Sequence, residues 1–529
     1  MTKRWPALVL VIGALALAAL LAALGPGDFW RGFPGFAAIL LPGLWGLAAA
    51  TRWAAGSHNV VWLVAVTFAA RLLVGAALHV ALPSGGYADP DDQAGYMYTD
   101  AHRRDSQAWE LAASEHSLLD AFRLRLYTDQ YGGLLAWSAL VYRLFSPDAH
   151  RPLMLILVTA LAAAFGVPFL WRALAGGWGD RVGLAACALY ALYPESVLLG
   201  GSAMREPYLI TLSAIMLYGV LQMQTDDRGA ARPPNGAWWL AAGAAAMLLV
   251  SPGALVATLL ILLGCRLGVT ARGGSRLPIA LAIVAVAAVA LIFFAWSVNR
   301  GGQLDSHSPL GVVANFLREA INWDVYQLER GSGWVQKLFE EMPEAARLPF
   351  VAAYGVLQPV LPAALIEPTT PLWRAVAMAR ALGWYALLPL LALALAMMLR
   401  WAREPDRRAV AWITLTVWLW ILLAALRGGA DQWDNPRYRC IMFVWQAIAA
   451  AHAWAWWRQT RSPWGPRIVA MEAVLLVVFG QWYASRYFHL GGQLPFVGMV
   501  ALILAIWAGI AAFGWHWDRR RLTGTGPSL

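Results

Sequence analysis

The sequence predicts an all-α polytopic membrane protein with about 14 transmembrane helices and two long helical outer loops. Of its 529 residues, 60% are hydrophobic and only 13% are charged, whereas charged residues make up roughly a quarter of a soluble protein. The apolar residues form blocks of about 17–25 residues, the length that crosses a bilayer as a helix. The blocks run apolar without alternating, which excludes an outer-membrane barrel as well as a soluble or disordered protein.

Basic residues and cysteines exclude further classes of protein. The net charge of +10 would suggest a nucleic-acid partner in a soluble chain, but in this membrane chain no nucleic acid is expected. Lys3 and Lys337 are the only lysines, and neither follows a Gly-rich loop, so an ATP-binding Walker site is excluded. Cys187, Cys265 and Cys440 form no CxxC pair, which argues against a thiolate metal site.

Hydropathy along the chain locates the predicted spans. The first apolar run, 6–24, follows basic residues and is interpreted as an uncleaved first helix. Further spans are predicted near 35–50, 59–81, 152–173, 182–199, 207–223, 237–251, 253–270, 277–297, 378–399, 409–426, 440–457, 468–484 and 495–514. The stretch Leu348 to Ile366 contains three prolines and is interpreted as a re-entrant or interfacial segment.

The predicted spans divide the chain into four parts and fix its orientation. Two N-terminal helices (1–58) precede a membrane core (59–297) that contains the first outer loop (83–150). A second outer loop with the re-entrant segment (298–375) and the C-terminal helices (376–529) follow. If the N-terminus is cytoplasmic, most Arg residues outside the two long loops lie on the cytoplasmic side. The positive-inside rule therefore predicts that both termini are cytoplasmic and that both long loops lie outside.

The first outer loop is rich in carboxylates. It contains Asp89, Asp91, Asp92, Asp100 and Asp105 among Tyr, Trp and Gly residues. A helical pattern starts at Asp105, which places this carboxylate in a first helical turn, where the helix dipole favours it. Asp105 is then either a simple first-turn charge or a catalytic group, and the other aspartates are either a solvated loop or part of the same site.

An Arg–Glu pair lies at a predicted outer turn between two spans. Arg205 and Glu206 precede Pro207, which suits the first turn of a helix. One interpretation is a local ion pair that caps this helix. The other is a second carboxylate that faces the first outer loop and helps to hold a metal or a phosphate.

A second arginine motif lies at the outer end of a late span. Arg437, Tyr438 and Arg439 follow a flexible Gly-Gly pair and several acidic residues. Guanidinium groups offer a planar fork for phosphate oxygens, so these residues are candidates for a lipid phosphate. The alternative is that they anchor the span at the interface.

Arg71 is a further candidate because it lies inside an apolar block, where an arginine needs a partner or a water-filled path. The histidines show no HExxH spacing and the chain has no GxSxG motif, which argues against a zinc hydrolase and a serine hydrolase.

The chain resembles the GT-C superfamily of membrane glycosyltransferases that use polyprenyl-phosphate sugars. Within it, the chain is most similar to bacterial relatives of the protein O-mannosyltransferases and the aminoarabinose lipid A transferases, as in glycosyltransferase family 39. The residues that carry the resemblance are 68–73 around Arg71, 105–112 after Asp105, 130–135, 142–145, the Arg205-Glu206 turn and the 437–439 motif.

The resemblance implies roles for the acidic residues. Asp105 is the candidate general base or metal ligand, Glu206 is the second acid, and Asp100 is a further catalytic candidate. Which first-loop aspartate is the base stays open. A divalent cation is a candidate cofactor, with the ligand candidates Asp89, Asp91 and Asp92.

The resemblance also implies a reaction. A sugar would move with inversion from a polyprenyl-phosphate donor to a hydroxyl acceptor on the periplasmic face of a bacterial inner membrane, in cell-envelope or polysaccharide glycosylation. The substrate-binding candidates are Arg437, Tyr438, Arg439, Arg205 and Arg71. Alternatives are a polysaccharide polymerase or ligase, a transporter of lipid-linked substrates and a non-catalytic assembly subunit. A transporter is disfavoured because nearly all acidic residues lie outside the predicted spans.

Overall fold

The computed structural model of the chain is helical wherever it shows regular structure in the residues it describes. These are residues 7–123, 131–223, 235–269, 283–289, 291–292, 342–366, 369–429 and 431–523, with single positions at 308, 311–312, 314–315, 318 and 338. More than half of the predicted span 277–297 and half of the second outer loop lie outside them, as do residues 124–130 of the first outer loop.

Twenty helices are labelled here in chain order. They are α1 (Ala7–Leu24), α2 (Phe29–Trp53), α3 (His58–Gly85), α4 (Pro90–Gln93), α5 (Thr99–Ala113), α6 (Gly133–Phe145), α7 (Pro152–Trp178), α8 (Asp180–Leu192), α9 (Pro194–Gly200), α10 (Glu206–Gln222), α11 (Asn235–Val250), α12 (Pro252–Val269), α13 (Glu344–Leu357), α14 (Leu361–Ile366), α15 (Pro371–Arg403), α16 (Arg408–Gly428), α17 (Asp434–Cys440), α18 (Phe443–Thr460), α19 (Trp464–Phe488) and α20 (Phe496–Thr523).

Among the described residues, seven helices are long and apolar enough to cross a membrane: α2, α3, α7, α15, α16, α19 and α20. Helices α8 and α9, which are bent by 57° relative to each other, make an eighth span if the two together count as one broken span. These are the helices of a multi-pass membrane protein. The predicted number of about 14 is not reached in the described residues, because hydropathy windows also select apolar helices of 17 residues or fewer, such as α10 and α11.

Helix α7 forms the centre of the N-terminal half. It contacts α2, α3, α8 and α10, and its side chains are buried along nearly its whole length. Helix α18 is the second buried element and contacts α8, α15 and α16. Because both are enclosed by other helices, the remaining helices are arranged around them.

The break between α8 and α9 explains why Arg71 lies inside an apolar helix. The Arg71 guanidinium donates hydrogen bonds to the carbonyls of Tyr190 (2.8 Å) and Ala191 (3.2 Å) in the last turn of α8, and to Ser196 Oγ (2.8 Å) in α9. The last carbonyls of a helix have no intrahelical donor, so this cation satisfies them at the break. The partner that the sequence requires for Arg71 is therefore the backbone of a broken helix.

Helices α3 and α9 can approach this closely because glycines face each other. A Cβ atom at Gly75 would lie 2.3 Å from the carbonyl oxygen of Gly201. Since backbone lies on both sides of this contact, no larger residue fits without moving a helix. The contact brings the turn after α9 next to α3.

One predicted helix boundary differs from the observed one. Helix α5 begins at Thr99 and not at Asp105, so Asp105 lies in its second turn, on the buried face that also carries Ala101 and Ala108. In the second outer loop, the proline-rich stretch 348–366 forms the helices α13 and α14, which are separated at residues 358–360. This stretch is therefore not a single spanning helix.

Replacing Arg71 with Leu should lower the midpoint of thermal unfolding of the detergent-solubilised protein. The substitution leaves the buried carbonyls of the α8 terminus without a donor, which costs about 1–3 kcal/mol for each buried group. The matched control is Arg52→Ala, because Arg52 is exposed and its Nε also donates to a helix carbonyl. Equal midpoints for the two variants would contradict the structural role of Arg71.

Candidate active site

A cavity of about 590 Å³ opens between the first outer loop and the segment before and within α17. Its lining includes the side chains of Tyr87, Asp89, Asp91, Asp92, Tyr96, Tyr98, Thr99, Asp100, Ala363, Ala364, Thr369, Trp373, Ala377, Asp431, Gln432, Trp433, Asp434 and Arg437. Six of these side chains are carboxylates and five are Tyr or Trp rings. The rings come from the first outer loop, from α15 (Trp373) and from the segment before α17. A concave site with convergent polar groups is the default place for a ligand.

Arg437 joins three carboxylates from three regions of the chain. Its Nη2 lies 2.9 Å from Asp100 Oδ2, its Nε lies 3.3 Å from Glu206 Oε1, and its Nη1 lies 3.3 Å from Asp434 Oδ1. The side chain of Glu206 is fully buried and that of Arg437 is 9% exposed, whereas Asp100 and Asp434 are 28% and 43% exposed. Of the predicted site residues, the structure thus brings Asp100, Glu206 and Arg437 together.

The two exposed carboxylates have pKa values shifted in opposite directions. Burial raises the pKa of Asp100, but the positive charges of Arg437, Arg104 and Arg103 outweigh it and hold the pKa below its usual range. Burial also raises the pKa of Asp434. The positive charge of Arg437 lowers the pKa of Asp434, but burial and the negative charges of Asp431 and Asp100 together raise it by more. Asp100 is therefore a stable anion, and Asp434 is the better proton acceptor.

Positive charges lie close to the Tyr438 ring. The guanidinium carbons of Arg437 and Arg427 lie 5.1 and 5.5 Å from its centroid, and the charge of Arg205 acts on the same phenol. Burial raises the pKa of Tyr438, and these arginines oppose that rise. Arg205 Nε also lies 4.0 Å from Glu206 Oε1. The charges of three arginines, one directly before α10, one in α16 and one in α17, therefore act on Tyr438.

Asp105 is held away from the cavity. Its carboxylate is fully buried and accepts hydrogen bonds of 2.5 Å from the hydroxyls of both Tyr96 and Tyr142, with His150 Nε2 at 3.4 Å. Burial and the charge of Asp105 raise the pKa values of both phenols, which stay protonated as donors. Asp105 does not line the cavity, although Tyr96 does. In this geometry Asp105 ties α5 to α6.

Arg439 does not lie with Arg437, as the sequence motif predicts. Its guanidinium stacks 3.3 Å from the centroid of the Trp384 ring and donates to the carbonyl of Gln358. The physical reason is that the segment is helical, and residues two apart on a helix point to opposite sides. Arg71 is also absent from the cavity lining, because its guanidinium bonds to the break between α8 and α9.

Asp89, Asp91 and Asp92 accept hydrogen bonds from the first outer loop and from α15. Asp89 Oδ1 accepts from the amides of Asp91 and Asp92 (both 3.0 Å), Asp91 accepts from Thr99 Oγ1 (2.5 Å), and Asp92 accepts from Trp373 Nε1 (2.8 Å). In the described part of the chain, no three or more His, Cys, Asp or Glu side chains form a group that could hold a metal ion. The predicted use of these aspartates as cation ligands stays a prediction.

Two charged residues at the site were not predicted from the sequence. Glu195 and Arg380 form a buried ion pair directly behind Trp433, with Arg380 Nε 2.6 Å from Glu195 Oε2. The available signal was a charged residue next to or inside an apolar block: Glu195 follows Pro194, and Arg380 lies at the start of the predicted span 378–399. Asp434 belonged to the acidic stretch before Arg437, but burial distinguishes it from Asp431.

No family model matches the chain, and no curated protein matches it. Among solved structures, the chain is similar to the Archaeoglobus fulgidus oligosaccharyltransferase in its apo form, at 14% identity and a TM-score of 0.39 over 86% of this chain and 55% of that one.

The same enzyme in complex with zinc and sulfate gives 12% identity and a TM-score of 0.40 over 81% of this chain and 54% of that chain. Tethered to an acceptor peptide, it gives 15% identity and a TM-score of 0.38 over 86% and 54%. The chain thus matches about half the length of these structures. With TM-scores below 0.5, the similarity establishes neither a shared fold nor a shared activity.

Proposed function

We propose that the protein is a membrane glycosyltransferase that moves a sugar from a polyprenyl-phosphate donor to a hydroxyl acceptor. One observation carries the proposal: a cavity lined by aromatic rings and carboxylates has a nearly buried arginine, Arg437, facing Asp100, Glu206 and Asp434. Such a site offers a cation for a phosphate leaving group and a carboxylate for a hydroxyl proton. Both are needed for a single inverting displacement.

The donor phosphate is proposed to lie on the arginine side of the cavity. Arg437 and Arg427 lie close to the Tyr438 ring and the charge of Arg205 acts on it, so a phosphate here would receive charge-assisted hydrogen bonds from more than one guanidinium. As the bond from the anomeric carbon to the phosphate oxygen breaks, negative charge grows on that oxygen. Cations already in place stabilise this charge without reorganisation.

The acceptor is proposed to lie on the carboxylate side, with Asp434 as its base. The acceptor oxygen attacks the anomeric carbon, its proton passes to Asp434, and polyprenyl phosphate leaves. Asp434 is preferred to Asp100 because its raised pKa lies nearer to neutral pH and its side chain is the more exposed. Asp100 and Glu206 then hold Arg437 in position, and Asp105 shapes α5.

The proposal includes location and topology. The chain is proposed to lie in a bacterial inner membrane as a GT-C-type enzyme with both termini in the cytoplasm and the cavity on the periplasmic side. In this arrangement, the shorter apolar helices lie in the membrane together with the seven long helices and account for the further predicted spans. Both long loops then lie on the outer side. Cell-envelope or polysaccharide glycosylation is the proposed role, and a divalent cation remains a candidate cofactor.

Replacing Asp434 with Asn should lower kcat by about 10²- to 10⁴-fold, the usual contribution of a general base. The measurement is transfer of a radiolabelled sugar from a polyprenyl-monophosphate donor by purified protein in nanodiscs. Glu404→Gln is the matched control. Glu404 is a carboxylate that directly follows α15, pairs with Arg400 and Arg407, and does not line the cavity. This control should leave the rate unchanged.

A parallel assay with a polyprenyl-pyrophosphate glycan separates this function from a polymerase or ligase. Transfer from that donor alone would replace the proposed donor, and no transfer from either donor by the wild-type protein would overturn the proposed function. Full activity of the Asp434→Asn variant would leave the transfer reaction in place and remove Asp434 as its base.

The pH dependence of kcat should show an acidic limb above the usual aspartate pKa of about 4. Asp434 accepts a proton only when ionised, and its raised pKa means that activity is lost as the pH falls through that raised value. In Asp431→Asn the limb should move to lower pH, because the Asp431 charge contributes to the raised pKa.

The variant keeps the backbone geometry, since an Asn oxygen can still accept from the amides of Trp433 and Asp434. An acidic limb that moves to higher pH, or does not move, would show that the limb belongs to another group.

A further inference from the structure

A buried ion pair lies directly behind the cavity wall. Arg380 of α15 and Glu195 of α9 meet in two contacts, Nε to Oε2 at 2.6 Å and Nη2 to Oε1 at 3.1 Å. Both side chains are only 1% exposed, and neither lines the cavity. A charge pair taken out of water in this way contributes little net stability compared with well-packed apolar residues, so stability alone does not explain it.

The pair is connected to both walls of the cavity. On one side, the Tyr98 hydroxyl donates to Glu195 Oε1 at 3.4 Å. On the other side, Arg380 Nη2 donates to the Trp433 carbonyl at 3.4 Å, and its guanidinium lies 4.1 Å from the Trp433 ring centroid. One ion pair therefore contacts the first outer loop and the segment before α17 at the same time.

The two contacted residues lie directly before the helices that carry Asp100 and, on the other side of the cavity, Asp434 and Arg437. Tyr98 is the residue before α5 and lies two positions before Asp100. Trp433 is the residue before α17 and lies directly before Asp434 and four positions before Arg437. A shift at either helix start would move one partner of the contact between Arg437 and Asp100 relative to the other.

We propose that Glu195 and Arg380 are positioning residues, which set the distance across the cavity between α5 and α17. The part of this inference that concerns catalysis rests on the proposed transfer reaction, whereas the part that concerns geometry does not. Arg380 fixes Trp433 from behind by stacking and hydrogen bonding, and Glu195 fixes Tyr98 and orients Arg380. A misplacement of about 1 Å between reacting groups can lower a rate by about 100-fold.

The test uses three variants in nanodiscs: Glu195→Gln, Arg380→Gln and the double variant Glu195→Leu/Arg380→Met. Spin labels on Glu110→Cys, an exposed position on α5, and on Gln432→Cys report the distance across the cavity. The native cysteines of the described residues are buried and give little background labelling. Thermal midpoints and transfer kinetics are measured on the same variants without labels.

The single variants should widen the distance distribution and lower kcat by about 10- to 100-fold. The double variant distinguishes positioning from stability. Removing both charges restores apolar packing, so its thermal midpoint should recover towards the wild-type value. Its distance distribution should nevertheless stay wide and its kcat low, because nothing then holds Trp433 and Tyr98.

Asp148→Asn is the matched control, since Asp148 pairs with the fully buried Arg151 before α7. It should lower the thermal midpoint and leave the distance unchanged. Wild-type distances in Glu195→Gln and Arg380→Gln, or recovery of both distance and kcat in the double variant, would overturn the proposal. The distance measurement decides the question even if the wild-type protein transfers no sugar, so failure of the proposed function is seen separately.

Discussion

The guanidinium of Arg437 is the group on which the geometry of the site depends. It is nearly buried, and each of its three nitrogens faces a different carboxylate. These are Asp100 of the first outer loop, Glu206 of α10 and Asp434 of α17, the helix that carries Arg437. In a poorly hydrated site these attractions are much stronger than in water. Neither carboxylate oxygen of Glu206 has a hydrogen-bond donor in the described structure, so the charge of Glu206 is compensated by the ion pairs with Arg437 at 3.3 Å and Arg205 at 4.0 Å. If Arg437 left the cluster, a buried negative charge would remain behind.

The fold makes such a cluster tolerable by placing its carboxylates at the beginnings of helices. Glu206 is the first residue of α10 and Asp434 is the first residue of α17. In α10 the helix dipole and the free amides of the first turn favour a negative charge. The break at Pro194 also places carboxylates at helix starts. It ends α8 early and lets the chain start again as α9 and then α10, so that two carboxylates, Glu195 and Glu206, lie at one end of the bundle.

The long apolar helices could be predicted from the sequence, because a bilayer requires runs of apolar residues and hydropathy detects such runs locally. The meeting of Glu206 and Arg437 was also predictable from charges at span ends. The role of Asp105 was not, because it depends on hydroxyls that come from residues 96 and 142 and on a helix start six residues before the predicted one. The choice between Asp100 and Asp434 likewise depends on burial and neighbouring charges, which no local pattern encodes.

The motif Arg437-Tyr438-Arg439 shows how a helix changes the meaning of a sequence pattern. In an extended loop, both arginines could reach one phosphate. In α17 they point to opposite sides, and Arg439 stacks on Trp384 inside the bundle. A phosphate beside Tyr438 would therefore need cations from other elements in addition to Arg437. Arg205, directly before α10, and Arg427 of α16 are arginines whose charges act on the Tyr438 hydroxyl. Phosphate binding would then depend on how α10, α16 and α17 pack together, and not on a local motif.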